Sequence, residues 1–174
     1  MNKQQQFGYS IIELMIVILV LAIVSSIALP SYRLFIANTQ IRTTAESIRN
    51  GLQTARGEAV KRNATVRFTL ANNTSWTVGC FPVVANCPAN IQSKAAREGS
   101  ASTVTVGITG TNTIDFTSLG TVTSVAGQLS QINIDSSSIP STQSGDLRIR
   151  VGAGGNVRMC DPNVSTLTDP RYCS

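Results

Sequence analysis

The residue types that most often do chemistry are thinly represented in this chain of 174 residues. It contains no histidine, so the commonest general base and the commonest metal ligand are both missing. Its serines, cysteines, lysines and aspartates stand in no recognisable pattern of nucleophile and base. The sequence therefore predicts a protein that is not an enzyme, with no cofactor, no metal site and no small-molecule substrate.

Glu13 is the one ionisable residue in an apolar run at residues 11–30. A run of about twenty residues is long enough to cross the hydrocarbon core of a bilayer as a helix. A carboxylate inside such a helix is costly unless it meets a partner. Lys3, in the polar stretch before the run, favours a cytoplasmic N-terminus. A secretory signal cleaved at residues 26–28 is the alternative interpretation of the same run.

The sequence GYSIIELM at residues 8–15 resembles the leader junction of type IV prepilins. In that family a short polar leader ends in glycine, and glutamate is the fifth residue after the cut. The resemblance implies that a prepilin peptidase cleaves after Gly8 and that Tyr9 becomes the N-methylated first residue. It also implies that Glu13 meets the N-terminal amine of a neighbouring subunit and so sets the register of the filament. Tyr9 and Ser10 depart from the usual Phe and Thr.

A helical pattern continues beyond Pro30 to about Asn63. Its apolar stripe alternates between spacings of four and three residues, and consists of Ile41, Ala45, Ile48, Leu52, Ala55 and Ala59. Pro30 removes a backbone N–H inside this helix, which predicts a bend or a loosened turn. It matches the helix-breaking proline of pilins, a site that the resemblance suggests melts or kinks on assembly.

A second helical face carries three arginines. Arg42, Arg49 and Arg56 fall seven residues apart, which keeps them on one side of a helix. Glu46 and Glu58 are the candidate partners along that helix. The pattern indicates either a solvated face or a surface for lipid head groups and acidic neighbours.

From Ala64 the period of the apolar residues changes to two, which indicates strands. The first places Val66, Phe68 and Leu70 on one face. Further strand patterns follow at residues 75–80, 102–108, 113–118, 131–135, 147–151 and 156–160. Residues 91–98 are the remaining candidate for a helix. The pattern predicts an α+β protein with one or two antiparallel sheets packed on the second half of the long helix.

The part after the apolar run resembles the GspH/FimT group of minor pilins and pseudopilins. The segments that carry this resemblance are residues 55–68, SWTVGC at 75–80, DFTSLGT at 115–121, and a closing G-x-x-R-x-C formed by Gly155, Arg158 and Cys160. The resemblance implies the pilin fold. It divides the chain into a leader at 1–8, a transmembrane helix at 9–30, its amphipathic continuation at 31–63, and a periplasmic or extracellular β-rich domain at 64–174.

Four cysteines indicate disulfides if this domain lies outside the inner membrane, in an oxidising compartment. The four cysteines can pair in three ways. The favoured way consists of two local disulfides, Cys80 with Cys87 and Cys160 with Cys173. A four-cysteine zinc site is the rival interpretation, but the spacings lack any C-x₂-C element. The resemblance to pilins also implies a role for the C-terminal pair of cysteines, since in many pilins such a pair closes a surface loop.

The last two strand patterns predict a hairpin around the turn GAGGN. Turning the apolar side chains inward sets Val151 opposite Val157, because paired residues point to the same side of a sheet. The same register sets Arg150 opposite Arg158, with Arg148 next along the outer face. Like charges gathered in this way cost free energy unless an acid or an anion lies against them.

Two interpretations of these arginines remain open. Asp146 and Asp161 are the nearest acids in the sequence and would neutralise them. The alternative is a phosphate-binding patch for DNA, to which Arg171 would also contribute. Some FimT-like minor pilins bind DNA for uptake through a G-R-x-R motif. This chain has GNVR at residues 155–158, so one of the two arginines is missing.

The favoured function is that of a minor pilin of a type IV pilus, which helps to initiate and assemble the filament near its tip. Its partners would be other major and minor pilins, the prepilin peptidase and the inner membrane. It would start as a single-pass protein of the inner membrane of a Gram-negative bacterium, with its C-terminal domain in the periplasm. The alternatives are a pseudopilin of type II secretion and a DNA-binding minor pilin for natural transformation. The net charge of +5 suits anionic partners without choosing among them.

Overall fold

The computed structural model of the protein describes residues 9–71, 74–96, 98, 101–123 and 127–173. Within these ranges a single helix, α1 (Ile11–Arg62), precedes all the strands. The strands are β1 (Val66–Leu70), β2 (Trp76–Cys80), β3 (Gln92–Lys94), β4 (Val104–Thr109), β5 (Thr113–Phe116), β6 (Gln131–Ser136), β7 (Leu147–Val151) and β8 (Val157–Cys160). The chain divides into two units between Ile36 and Ala37.

The first unit is the apolar part of α1. The helix is long and apolar enough to cross a membrane, with a mean hydropathy of 2.9 over an 18-residue window. Every residue from 11 to 29 is exposed in the isolated chain, as expected of a surface that lipid or other helices cover. Pro30 lies inside α1, which is helical on both sides of it. Melting or kinking at Pro30 on assembly stays a prediction.

In the second unit the predicted apolar stripe of α1 is confirmed. All six of its residues are fully buried: Ile41, Ala45, Ile48, Leu52, Ala55 and Ala59. They form one core with the inward side chains of both sheets, among them Phe68, Phe116 and Ile134. Burial of this apolar surface is the main force that holds the second half of α1 against the strands.

The strands form two antiparallel sheets of four strands each. The first has the order β3-β2-β1-β5 and the second the order β4-β6-β7-β8. The inward face of β1 follows the predicted alternation, since Val66, Phe68 and Leu70 are buried. The single tryptophan, Trp76, packs its ring 6.0 Å from that of Phe68. Its Nε1 donates a hydrogen bond to the Ser47 hydroxyl on α1 at 3.2 Å, which ties the first sheet to the helix.

The prediction of a helix at residues 91–98 is wrong. Gln92–Lys94 forms the edge strand β3, which pairs with Val78, Thr77 and Trp76 of β2. The Ile91 N–H donates to the Val78 carbonyl at 2.8 Å, which begins this pairing. Hydrogen bonds to a neighbouring strand thus outweigh the helix propensity of a short segment, which is a weak determinant.

Replacement by alanine is expected to have opposite effects on stability at two glycines of α1, Gly51 and Gly57. A Cβ at Gly51 would lie 2.9 Å from Phe68 Cε2 and 3.0 Å from the Trp76 ring, whereas a Cβ at Gly57 meets nothing within 4 Å. Gly57→Ala is expected to stabilise the fold by about 1 kcal/mol through helix propensity. Gly51→Ala gains the same propensity but is expected to lose about 2 kcal/mol by overpacking the rings.

Thermal unfolding of the full-length variants in detergent, followed by Trp76 fluorescence, measures this difference. We expect the melting temperature to rise for Gly57→Ala and to fall for Gly51→Ala. Equal stabilisation by both substitutions would contradict the packing of Phe68 and Trp76 against the helix.

Candidate functional site

The first candidate site is the beginning of α1. Glu13 lies in its first turn, where the helix dipole favours a negative charge. Tyr9 precedes the helix and is 86% exposed. The Leu14 N–H donates to the Ser10 carbonyl at 3.2 Å, so regular helical bonding begins there. Gly8 and the predicted cleavage after it lie outside the described residues.

On the C-terminal side Glu13 is followed by apolar residues, with Ile16 and Val17 three and four positions after it on the helix surface. The residues on either side of it, Ile12 and Leu14, are 67% and 59% exposed. A carboxylate on such a surface, once covered by lipid or by other helices, needs a cation or a hydrogen-bond donor. Residues 11–30 of this chain contain no cation, so a cationic partner has to come from outside the segment.

The second candidate site is the arginine face of β7 and β8. The register confirms the predicted hairpin, with Ile149 opposite Met159 and Arg150 opposite Arg158. Arg150 is exposed. Arg148 donates from Nε to the Asn133 side-chain oxygen at 2.7 Å. The face therefore combines a neutral amide acceptor with at least one guanidinium open to solvent.

The C-terminal tail lies against this face. A disulfide joins Cys160 to Cys173, and Asp161 forms a parallel bridge with Tyr172. Arg158 donates from Nη2 to the carbonyls of Pro170 at 3.3 Å and of Tyr172 at 3.2 Å. Arg158 therefore contributes to holding the tail in place.

Arg171 is the fourth residue of the predicted anion patch. Its Nη2 forms an ion pair with the Asp169 carboxylate at 2.9 Å. The hydrogen bonds between these two side chains raise the pKa of Arg171 and lower that of Asp169. The net positive charge around Arg171 is therefore smaller than the sequence indicated, because the Asp169 carboxylate already lies against the guanidinium.

Asp146 does not have the predicted role of neutralising arginines. It lies instead beside Asp135 and Ser144, with its Oδ1 buried and lacking a hydrogen-bond partner. Asp135 receives the Ser144 hydroxyl at 2.7 Å. Burial, and then the neighbouring Asp135 carboxyl, raise the pKa of Asp146. For Asp135, burial is outweighed by hydrogen bonds, which lower its pKa. Asp161, the other predicted acid, accepts the Asn163 N–H at 2.9 Å.

This pair of acids predicts a pH-dependent effect of Asp146→Asn. Because folding raises the pKa of Asp146, its protonated form stabilises the fold below its ordinary pKa, and that stabilisation is lost as the pH rises through the raised value. At neutral pH the neutral amide is expected to add about 1 kcal/mol, the size of an ordinary hydrogen bond. Urea unfolding at neutral and acidic pH measures the gain, which should shrink on acidification. A gain that does not change with pH would contradict this account.

Gly155, from the closing sequence pattern, has a geometric requirement. Its φ is +74°, and a Cβ there would lie 1.9 Å from the carbonyl oxygen of Gly120. Gly120 also has a positive φ, of +75°, and its carbonyl accepts a hydrogen bond from Arg56 Nε at 3.0 Å. Arg56 and these two glycines thus join α1 to the loop after β5 and to the β7–β8 turn. The sequence spacing of the helical arginines did not reveal this role of Arg56.

The other helical acids and arginines partly follow the predicted pairs. Arg42 and Glu46 form the expected ion pair at 3.0 Å. Glu58 pairs with Lys61 at 3.2 Å and Arg62 at 2.6 Å rather than with Arg56. The Arg62 hydrogen bond lowers the pKa of Glu58. These contacts are mostly exposed and contribute little stability.

A partly buried ion pair joins β1 to β5. Arg67 and Asp115 lie opposite each other in the register, and Arg67 donates from Nε and Nη2 to the two carboxylate oxygens at 2.7 and 2.8 Å. The hydrogen bond raises the pKa of Arg67. The guanidinium also stacks 3.5 Å from the centre of the Phe81 ring. Phe81 lies in the loop closed by the disulfide between Cys80 and Cys87, so this contact connects the ion pair with that loop.

The cysteines and the acidic residues complete the description of the candidate sites. Among the described residues, no cluster of three or more histidine, cysteine, aspartate or glutamate side chains could hold a metal ion. Both pairs of cysteines are joined as disulfides. What the described chain does offer is an exposed apolar helix with one acid, and a sheet domain with an arginine face.

A long N-terminal helix packed on two antiparallel sheets is the pilin fold, an α+β architecture. Residues 44–166 match the family described as type II transport protein GspH. Residues 3–29 match the prokaryotic N-terminal methylation motif. The chain belongs to the GspH family, and it is a minor pilin or pseudopilin of the type IV pilus or type II secretion family.

Two solved structures are similar in fold. The type IV minor pilin FimU of Pseudomonas aeruginosa strain PAO1 is 16% identical, with a TM-score of 0.53 over 72% of this chain and 91% of that one. The minor pseudopilin EpsH from the type 2 secretion system of Vibrio cholerae is 11% identical, with a TM-score of 0.50 over 72% of this chain and 99% of that one. The family and the fold are those of structural pilins, not of enzymes.

Proposed function

We propose that this protein is a minor pilin of a type IV pilus, which helps to initiate and assemble the filament near its tip. The observation that carries the proposal is the position of Glu13. It is the one acid in an exposed apolar helix, four residues after Tyr9, within the segment that matches the methylation motif. An N-terminal amine from a neighbouring subunit supplies the cation that this carboxylate needs.

The assembly step follows from this pairing. A prepilin peptidase cuts after Gly8, and the new N-terminus at Tyr9 is methylated while keeping its positive charge. Helices then pack side by side, which covers the apolar surface of residues 11–29. The amine of one subunit lies against Glu13 of the next, and the low-dielectric surroundings strengthen the attraction and fix the register. Pro30 provides the point at which the helix bends or melts during packing.

The protein starts in the inner membrane of a Gram-negative bacterium as a single-pass protein. The leader occupies residues 1–8, the transmembrane helix residues 9–30, and the amphipathic continuation residues 31–63. The β-rich domain at residues 64–174 lies in the periplasm before assembly. The two disulfides support this placement, because disulfides persist in oxidising compartments. Its partners are other pilins, and it binds no cofactor or small-molecule substrate.

A pseudopilin of type II secretion is the near alternative, supported by the similarity in fold to EpsH. Deletion of the gene distinguishes the two functions. For the pilus assignment we expect surface pili, counted by electron microscopy, to be lost while secretion of exoproteins continues. Complementation with the wild-type gene controls for effects on neighbouring genes. Normal piliation with lost secretion would contradict the pilus assignment and support the pseudopilin.

DNA uptake is the second candidate function, favoured by the exposed Arg150 opposite Arg158. Phosphate contacts by Arg148 and Arg150 would give binding that weakens steeply with salt. A gel-shift assay of the full-length protein in detergent tests this over a series of salt concentrations. Binding that Arg150→Ala weakens and that salt abolishes supports a DNA role. No shift at low salt would contradict it.

A further inference from the structure

Three of the four sheet edges are protected within the described chain. The edge of β5 accepts two hydrogen bonds from residues that follow it in the chain. The Thr123 N–H donates to the Asp115 carbonyl and the Leu129 N–H to the Thr113 carbonyl, both at 3.0 Å. The edge of β8 is followed by the disulfide-bonded tail, whose Arg171 carbonyl accepts the Asp161 N–H at 2.8 Å. The third edge strand, β3, has only three residues. Proteins generally protect their sheet edges in such ways, because open edges pair with other chains.

The edge of β4 differs from these three. It is six residues long with the sequence VTVGIT, uncharged and rich in β-branched residues. In the part of the chain that the structure describes, β4 pairs with β6 along one side and with no strand along the other. It carries none of the usual protective devices of lysine, proline or a covering loop among the described residues.

The register shows which backbone groups of β4 face outward. The Ser137 N–H donates to the Thr103 carbonyl at 2.9 Å, and the register continues with Thr105 opposite Asp135. Since hydrogen-bonded pairs alternate in an antiparallel ladder, the odd-numbered residues of β4 bond to β6. The N–H and C=O groups of Val106 and Ile108 therefore point away from the sheet.

The side chains of the same residues line a groove. Val104, Val106 and Ile108 lie opposite the buried Ser136, Ile134 and Ile132 of β6, and so on the core-facing side. Their exposure increases along the strand, from 7% at Val104 to 42% at Ile108. The groove has a volume of about 610 Å³ and also contacts Leu70, Ala71 and Asn112 at the end of the first sheet. None of the described residues that line it is charged.

We propose that the β4 edge binds an extended peptide segment of a partner protein by strand addition. The outward N–H and C=O groups of Val106 and Ile108 would continue the ladder, as in known β-augmentation. The uncharged groove selects uncharged side chains, since a charge buried there would lose its hydration without gaining a partner. The partner segment therefore carries small aliphatic residues at every second position, which cover Val106 and Ile108.

Amide NMR on the full-length ¹⁵N-labelled protein in detergent micelles tests the proposal. The probe is a synthetic peptide of alternating valine and serine, capped by a lysine at each end for solubility. We expect shift changes centred on the amides of Val106 and Ile108, with amide exchange there slowed at least about tenfold. The control is the same peptide with N-methyl groups at the positions that donate to the edge, and it should not bind.

Two variants of β4 separate the groove from the rest of the surface. Ile108→Lys puts a charge into the groove and is expected to weaken binding at least about tenfold. Thr109→Lys, on the exposed opposite face, is expected to bind as the wild type does. Three results would overturn the proposal: no shift changes at millimolar peptide, equal binding of the N-methylated peptide, or a β4-paired homodimer that Ile108→Lys dissociates.

Discussion

Replacing Glu13 by alanine is expected to remove this protein from filaments without preventing its insertion into the membrane. The substitution makes the apolar segment more hydrophobic, so insertion should be unaffected. In the filament it leaves the amine of a neighbouring subunit buried without its partner. An ion pair broken in this way costs about 3 kcal/mol. The amount of this subunit in sheared filaments should therefore fall about a hundredfold.

Glu13→Gln and Ser10→Ala are the matched variants for this experiment. Glu13→Gln keeps the size of the side chain but removes its charge, and it should fail nearly as completely as alanine. Ser10→Ala changes a polar residue before α1 and should be incorporated normally. Immunoblots of the membrane fraction and of sheared filaments measure both steps. Normal incorporation of either Glu13 variant would exclude the charge as the determinant of register.

Gly155→Ala is expected to cause the largest loss of stability among single substitutions in the β7–β8 turn. A side chain at a φ of +74° is strained, and the new Cβ would overlap the Gly120 carbonyl oxygen. Backbone strain and overpacking each cost about 1–3 kcal/mol, which together give about 4 kcal/mol. Displacement of the Gly120 carbonyl would also disrupt the hydrogen bond from Arg56.

Gly154 provides a control one residue away. A Cβ at Gly154 would come no closer than 4.0 Å, to the Asn156 side-chain oxygen. Gly154→Ala is therefore expected to change stability by less than about 0.5 kcal/mol. Urea unfolding of the two variants in detergent measures the contrast. Equal stabilities would contradict the close approach of the two loops.

Local periodicity was enough to predict the parts of the fold that depend on neighbouring residues. The spacing of Ile41 and Ile48 identified the buried face of α1, because a helix repeats every 3.6 residues. The alternation around Ile149 and Met159 gave the register of the last hairpin, because a shift of one residue would expose its apolar face. The end of the helix at Arg62 lies one residue before the predicted boundary.

Contacts between distant segments were beyond such reasoning. The ion pair of Arg67 with Asp115 joins residues 48 positions apart, and no local pattern marks either residue. The same holds for Arg56 and the Gly120 carbonyl, which are separated by 64 positions. Nearness in sequence was also misleading for Asp146, which lies against Asp135 instead of neutralising the arginines. Side-chain partners across a fold depend on how the sheets pack, which periodicity does not encode.

The candidate assembly site was the easiest part to predict from the sequence, because its residues are close together along the chain. Gly8, Tyr9 and Glu13 occur within six residues, and a charged residue in an apolar helix is conspicuous without any tertiary information. The tail that lies on Arg158 required the structure, because the disulfide between Cys160 and Cys173 links it to the end of β8 and no local pattern places it there.

Mass spectrometry of the N-terminal peptide from sheared surface filaments tests the central claim most directly. We expect a peptide that begins at Tyr9 and carries one N-methyl group, which would demonstrate both the cut after Gly8 and residence in a pilus. A full-length leader, or a chain that begins after Ala28 as a secretory signal would leave it, would contradict the prepilin processing on which assembly through Glu13 depends.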